Sequence, residues 1–200
     1  MISIEEVKKT YGEKVVFNNF TLTVDDGDFL MITGASGSGK TTLLNMIGGI
    51  ENLDSGKIIV DNIDITKSKN KRKYFSEIVG FLFQNFALIE NKTVQQNLSI
   101  ITHRSEISID EALSIVGLSD KKKQLVYTLS GGEQQRIALA RLLVKKCKII
   151  LADEPTGSLD KKNKYIVMDM LKRMNNMGKT VIMVTHDESL IDKGKRVLKL

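Results

Sequence analysis

The sequence predicts an α/β fold: a mainly parallel sheet flanked by helices, an antiparallel β-subdomain at its N-terminal end, and a helical subdomain inserted into the sheet-based core. Three patterns carry that prediction. Continuous apolar runs of strand length, FLMIT, KIILADE and VIMVTHD, alternate with segments of helical periodicity, the pattern of a parallel sheet covered on both faces. A glycine-rich stretch, GASGSGKTT, joins the first of these strands to a helix. From about Gln84 to Lys146 the pattern turns helical.

In chain order, ISIEEVKKTY and VVFNNFTLTV are β-rich, and FLMIT ends at Gly34. The helix expected over Lys40 to Ile47 keeps Leu43, Leu44 and Ile47 on one side and stops at Gly48-Gly49, where glycine suits a helix C-terminus. GKIIVDNIDIT reads as a hairpin turning at Asp61-Asn62, a pair that tolerates positive φ. The basic runs KSKNKRK (67 to 73) and DKKKQ (120 to 124) read as solvated surface turns. EALSIVGL and the segment after Ser130, where Ile137, Ala140 and Val144 keep a three-four spacing, read as helices. A further helix places Val167, Met170, Leu171 and Met174 on one face as core filler. Parallel strands gather their ligands at their C-terminal ends, so residues that follow strands are the candidates for chemistry.

Two hundred residues suffice for one domain with a full core. No apolar run approaches the roughly 18 residues needed to cross a bilayer. The start, MISIEEVKKTYG, lacks the order of a signal peptide, and the expected location is the cytoplasm. Cys147 has no internal disulfide partner and is expected to pack ahead of a strand. The net charge of +6 admits nucleic acid or an anionic surface as partner. The lysines are nevertheless scattered and tryptophan is absent; with no stacking platform evident, nucleic acid is not expected. Asn91-Lys92-Thr93 forms a sequon that a cytosolic chain would not use.

The stretch Gly34, Ala35, Ser36, Gly37, Ser38, Gly39, Lys40, Thr41 fits G-x-x-x-x-G-K-[ST], a loop whose backbone N–H groups wrap phosphates at a helix N-terminus. Lys40 is expected to reach the β- and γ-phosphates and the Thr41 hydroxyl to ligate Mg²⁺; Thr42 completes the stretch. Ile149 to Glu154 is an apolar strand ending in two acids, whose burial is costly without a cation. Mg²⁺ at Asp153 offsets that cost, and Glu154 is expected to orient or deprotonate an attacking water. His186 follows the strand Val181 to Thr185, and Gln84 ends a strand-like run with an amide able to contact Mg²⁺ or water. Neither is decisive alone.

In kind and order these residues resemble the ATP-binding cassette family over essentially the whole chain. LSGGEQQRIALAR (129 to 141) carries the resemblance most specifically, because other phosphate-loop ATPases lack it. The resemblance implies two cassettes paired head to tail, the helix N-terminus at Ser130, Gly131 and Gly132 of one covering the γ-phosphate held by the other. It also implies that Tyr11 stacks on adenine, that Gln84 is the Q-loop residue, that Ser158, Leu159 and Asp160 form the D-loop, and that His186 is the switch histidine on the γ-phosphate. Glu133 stands where some relatives have Gln. The chain ends at Leu200, sooner than many relatives.

The expected organisation is a single nucleotide-binding domain, with a catalytic core of residues 1–83 and 147–200 and a helical subdomain of residues 84–146. ATP and Mg²⁺ are the expected cofactors, and a homodimer is the expected ATP-bound state. The partner implied is a transmembrane permease subunit that holds the cassette on the inner face of the cell membrane. QNFALIENKTVQQNL (84 to 98) brings Phe86, Leu88 and Ile89 near the Q-loop; they either seat a permease helix or pack inside the helical lobe. This stretch and LADEPTGSLD look most like the subfamily of macrolide exporters, lipoprotein-releasing ATPases and antimicrobial-peptide exporters. A regulatory cassette of the cell-division type is the alternative, and a soluble cassette acting on ribosomes or DNA a third reading.

Overall fold

A computed structural model describes residues 1–101, 107–157 and 159–200. Its larger sheet has five strands in the order β6 (Val79–Leu82), β7 (Ile149–Asp153), β8 (Thr180–Val184), β3 (Phe29–Thr33), β9 (Arg196–Lys199). All four pairings are parallel. Side chains alternate along each strand between two cores, as the period of a strand requires. Leu30, Ile32, Leu151, Ile182 and Val184 face one cluster, while Met31, Ile150, Ala152, Val181 and Met183 face the other.

The first cluster is closed by helix α1 (Lys40–Ile47) and by a four-stranded sheet, β2-β1-β4-β5, whose pairings are all antiparallel. β1 (Ile2–Tyr11) pairs with both β2 (Lys14–Val24) and β4 (Ser55–Val60), and buries Ile2, Ile4 and Val7. The hairpin from β4 to β5 (Ile63–Asp64) turns as expected at Asp61 and Asn62, both at positive φ. The antiparallel subdomain and the parallel core are thus as the sequence predicts.

The second cluster is helical. α3 (Val94–Ser99), α4 (Ile109–Ile115), α5 (Gly131–Val144) and α6 (Lys161–Asn176) cover the opposite face of the sheet. The methionine stripe of α6 is buried there, so its role is packing. In α5 the run Ile137 to Val144 is buried except at Arg141, the mark of a helix enclosed on nearly all sides. Residues 84–146 supply α3, α4 and α5, and these share one continuous cluster with the sheet. Cys147 is buried just ahead of β7.

Two elements differ from the sequence reading. The run 67–73 is not a turn: Ser68–Lys73 is helix α2, which runs into a π-helical turn over Tyr74–Ile78. Tyr74, fully buried with its hydroxyl donating to Ile47 O at 2.6 Å, anchors that helix although its own face is all polar. β9 was not anticipated, because RVLK is half polar and edge strands need only one apolar side.

Candidate functional site

Because the five strands are parallel, the loops after β3, β6, β7 and β8 emerge at one edge of the sheet. Residues more than a hundred positions apart, Thr41 and Asp153, therefore meet: the threonine hydroxyl donates to Asp153 Oδ1 at 3.2 Å. A cleft of about 360 Å³ opens there, lined by Tyr11, Ser36, Gly37, Gly39, Lys40, Thr41, Thr42 and Glu154, with Lys14 and Val16 from β2. Sequence reasoning missed the last two, which only the β1–β2 hairpin brings near. Tyr11 stands half exposed with Lys9 Nζ 4.7 Å from its ring centre.

The loop itself is built for an anion. Gly39, at φ 101, is the N-cap of α1, and a Cβ there would lie 2.7 Å from Val16 Cγ1. α1 has no side-chain cap and no acid in its first turn, so its leading N–H groups and dipole face the cleft unanswered by the chain. Lys40 Nζ donates to Gly34 O at 2.9 Å and Ala35 O at 2.8 Å, which holds the ammonium within the loop. Ser38 Oγ is buried with no partner among the described residues. A buried hydroxyl and a row of free N–H groups are what a phosphate would satisfy.

The acids behave differently from one another. Burial raises the Asp153 carboxyl above the usual carboxylate range; the Thr41 hydroxyl and Lys40 lower it, while neighbouring Glu154 raises it further. Glu154 sits at φ 45, a left-handed conformation rare for a side chain this size. Its N–H donates to Val184 O at 3.1 Å, and His186 Nδ1 lies 2.8 Å from its Oε1. Its second oxygen is buried without a partner among the described residues. Thr41, which lines the cleft, and Asp153, hydrogen-bonded to it, offer two hard oxygen donors, a set that fits Mg²⁺ when phosphate and water complete its shell. Gln84 is exposed after β6, its Nε2 3.7 Å from where a Cβ on Gly157 would stand.

Ser130, Gly131, Gly132 and Asp160 are not in this cleft. They form a second constellation. Ser130 caps α5 in a reciprocal box: its Oγ accepts from Glu133 N at 3.3 Å while its own N–H donates to Glu133 Oε2 at 2.8 Å. Asp160 caps α6 through Asn163 N at 2.8 Å. Asn163 also accepts from Arg136 at 2.9 Å and would stand 2.7 Å from a Cβ on Gly132, so a larger residue there would have to displace the Asn163 amide. Ser158 lies outside the described residues. The sequence reading did not find Gln135, buried and donating to Pro155 O at 2.8 Å, or Arg141, donating to Phe86 O at 2.8 Å. For Arg141 the available signal was a charge within an otherwise apolar run, whereas Gln135 sits in the polar run Glu133 to Arg136 and gave none.

A wider groove of about 750 Å³ lies away from both, lined by Lys69, Arg72, Lys73, Phe75, Ile100, Lys145 and Lys146 among others. Burial lowers the pKa of Lys145, whose Nζ donates to Phe75 O at 2.7 Å. Of the three apolar residues near Gln84, Phe86 and Leu88 pack against the helical cluster, while Ile89 is exposed.

The sequence profile of the family described as ABC transporter matches residues 17–157. The chain is 36% identical over its full length to the macrolide export ATP-binding/permease protein MacB of Campylobacter jejuni, of which it spans only 33%. It is 36% identical to the cell division ATP-binding protein FtsE of Mycobacterium tuberculosis, spanning 92% of it, and to the lipoprotein-releasing system ATP-binding protein LolD of Leptospira interrogans, spanning 88%. Among solved structures, the dimeric cassette MJ0796 in a post-hydrolysis state bound to ADP and Pi matches with a TM-score of 0.87 and 36% identity, over 100% of this chain and 94% of that one. With a phosphate loop, a paired acid strand and a glycine-opened helix in one fold, and relatives matching from end to end, the chain belongs to the ABC transporter family and carries its ATPase domain.

Proposed function

We propose that this chain is the ATP-hydrolysing subunit of an exporter-type ABC assembly, in which two copies close on two ATP molecules and drive a separate membrane subunit. The phosphate loop, Gly34 to Thr42, takes the triphosphate, with Lys40 on its β- and γ-oxygens and Tyr11 against the adenine. Thr41, Asp153 and Gln84 would hold Mg²⁺, which when bound withdraws charge from the β- and γ-oxygens. Glu154 receives the proton of the attacking water, and His186, on its Oε1, holds that carboxylate in place and reaches the γ-phosphate. Ser130, Gly131 and Gly132 of a second copy cover the same phosphate with a helix N-terminus, and Asp160 sits beside them at the dimer seam. Residues 84–146 act as a helical subdomain beside the core of 1–83 and 147–200.

One observation carries this reading. The chain divides its anion-binding features between two places, a cleft with an uncapped helix and a glycine-opened helix outside it, and only a second copy unites them. Glu154→Gln is expected to lower kcat by roughly a hundredfold or more while preserving ATP-driven dimerisation, read by light scattering. Undiminished turnover, or a variant that stays monomeric in saturating ATP, overturns it.

Among the described residues no helix is long and apolar enough to cross a membrane; the membrane step is assigned in this reading to a partner subunit. The basic groove of Lys69, Arg72 and Lys145 floored by Phe75 and Ile100 suits an acidic amphipathic segment of that partner, holding the cassette at the inner membrane face. The equal similarity to FtsE supports a second reading, a cassette that signals through its membrane partner without moving a solute; a transport assay with the reconstituted pair separates the two.

A further inference from the structure

Gln135 has no exposed surface, yet its carbonyl oxygen finds no partner among the described residues. A buried amide left half satisfied costs stability that an apolar side chain on α5 would not. What it does supply is a hydrogen bond from Nε2 to the carbonyl of Pro155 at 2.8 Å. That carbonyl follows Glu154, the residue held at φ 45. Strain of this kind survives only where the surroundings over-determine it, and the pins can be counted. Glu154 N–H donates to Val184 O at 3.1 Å, Glu154 O accepts from Gly157 N at 3.1 Å, and Gln135 fixes the next carbonyl along. The first two pins belong to the sheet and to the turn itself. The third belongs to α5, whose N-terminus is the glycine-opened one.

We propose that Gln135 is a positioning residue for Glu154, tying the carboxylate of each protomer to the helix whose tip contacts the nucleotide held by the other. This inference rests on the function proposed above. From Ile137 onward α5 is buried in a cluster that includes Ile150 and Ala152 of the sheet, which fixes the helix carrying Gln135, so that its bond to the Pro155 carbonyl holds the turn beside Glu154 in one place. The link acts within one chain: the nucleotide that α5 touches belongs to the partner, whereas the Glu154 it positions serves its own site.

Gln135→Met keeps the volume and removes the donor. In the homodimer it is expected to lower kcat about tenfold or more, as misplaced catalytic groups do, with KM for ATP unchanged. In a Glu154→Gln background it should leave the ATP concentration for half-maximal dimerisation unaltered. Two tagged heterodimers decide the direction. When one protomer carries Glu154→Gln and the other Gln135→Met, the surviving base lies in the chain lacking the amide, and the rate should fall like that of the Gln135→Met homodimer. When both substitutions sit on one protomer, the surviving base keeps its pin, and the rate should equal that of a Glu154→Gln heterodimer with wild type. Full activity in Gln135→Met, or a slow second heterodimer, overturns the proposal, the latter by showing that Gln135 acts through the helix tip. Wild-type turnover in Glu154→Gln alone would remove the base itself, and this inference with it, whatever Gln135→Met does.

Discussion

Asp153 shows how a single side chain can work against the fold that holds it. Its folded pKa is raised, chiefly by burial, so the folded chain binds that proton more tightly than the unfolded one does. Its contribution is therefore most favourable below the unfolded carboxylate pKa and is lost as pH rises through the raised folded value. At neutral pH the charged carboxylate is a cost, which a bound cation would offset. Asp153→Asn is thus expected to raise the thermal midpoint of the nucleotide-free chain by about 1–3 °C and to abolish the further rise produced by Mg²⁺ with ATP. In the wild type, that Mg²⁺-dependent rise should shrink as pH falls through the raised pKa, because proton and metal compete for one oxygen pair. Thermal scans between pH 5 and 8, with and without Mg²⁺, test this; a lower midpoint in the metal-free variant would mean that the Thr41 contact outweighs desolvation.

The same logic at the level of an element concerns α5. Its capping box places the Glu133 carboxylate in the first turn, hydrogen-bonded to Ser130 N–H, which is the main reason its pKa lies below the usual range. That carboxylate steadies the helix by facing its positive end, yet in the dimer proposed above it would stand where a partner's phosphate arrives. Glu133→Gln keeps a residue able to close the box and removes the charge. It is expected to lower the ATP concentration for half-maximal dimerisation by about twofold to fivefold at low salt, the size of a charge effect at a helix terminus. The difference should vanish near 1 M salt, where screening acts within about 3 Å. No tightening at low salt would show that Glu133 swings aside without cost. Local elements were legible in the sequence because their signals are local: α1 between its glycines, the Asp61-Asn62 turn, the alternating strands. The phosphate loop and acid pair were legible for the same reason. Gln135, Arg141, Lys14 and the helix over 68–73 were not, since each takes its role from a residue distant in the chain, Pro155, Phe86, Gly37 and Ile47 respectively.

For the whole molecule, the fold sets two kinds of surface apart. The parallel sheet gathers nucleotide chemistry along one edge, while a groove rich in cations opens between the basic helix α2 and the end of α5. Five lysines and arginines line that groove with Glu77 as the one acid among its lining residues, and Phe75, Ile100 and Ile101 supply apolar surface. Part of the positive charge of the chain lies here, and the proposed docking of an acidic segment would draw on it both for selectivity and for speed of approach. Lys69→Glu with Arg72→Glu reverses the sign at exposed side chains of α2 while leaving the buried anchor Tyr74 untouched, so the fold should hold. The isolated cassette is then expected to hydrolyse ATP at the wild-type rate, since no residue of the cleft is altered. Copurification with the membrane subunit, and any change in turnover that the subunit causes, should fall about tenfold, as expected when like charges are brought together across an interface. Compensating lysines placed on the acidic segment of the membrane subunit should restore both, and a charge-reversed cassette that still copurifies fully would show that the partner docks elsewhere.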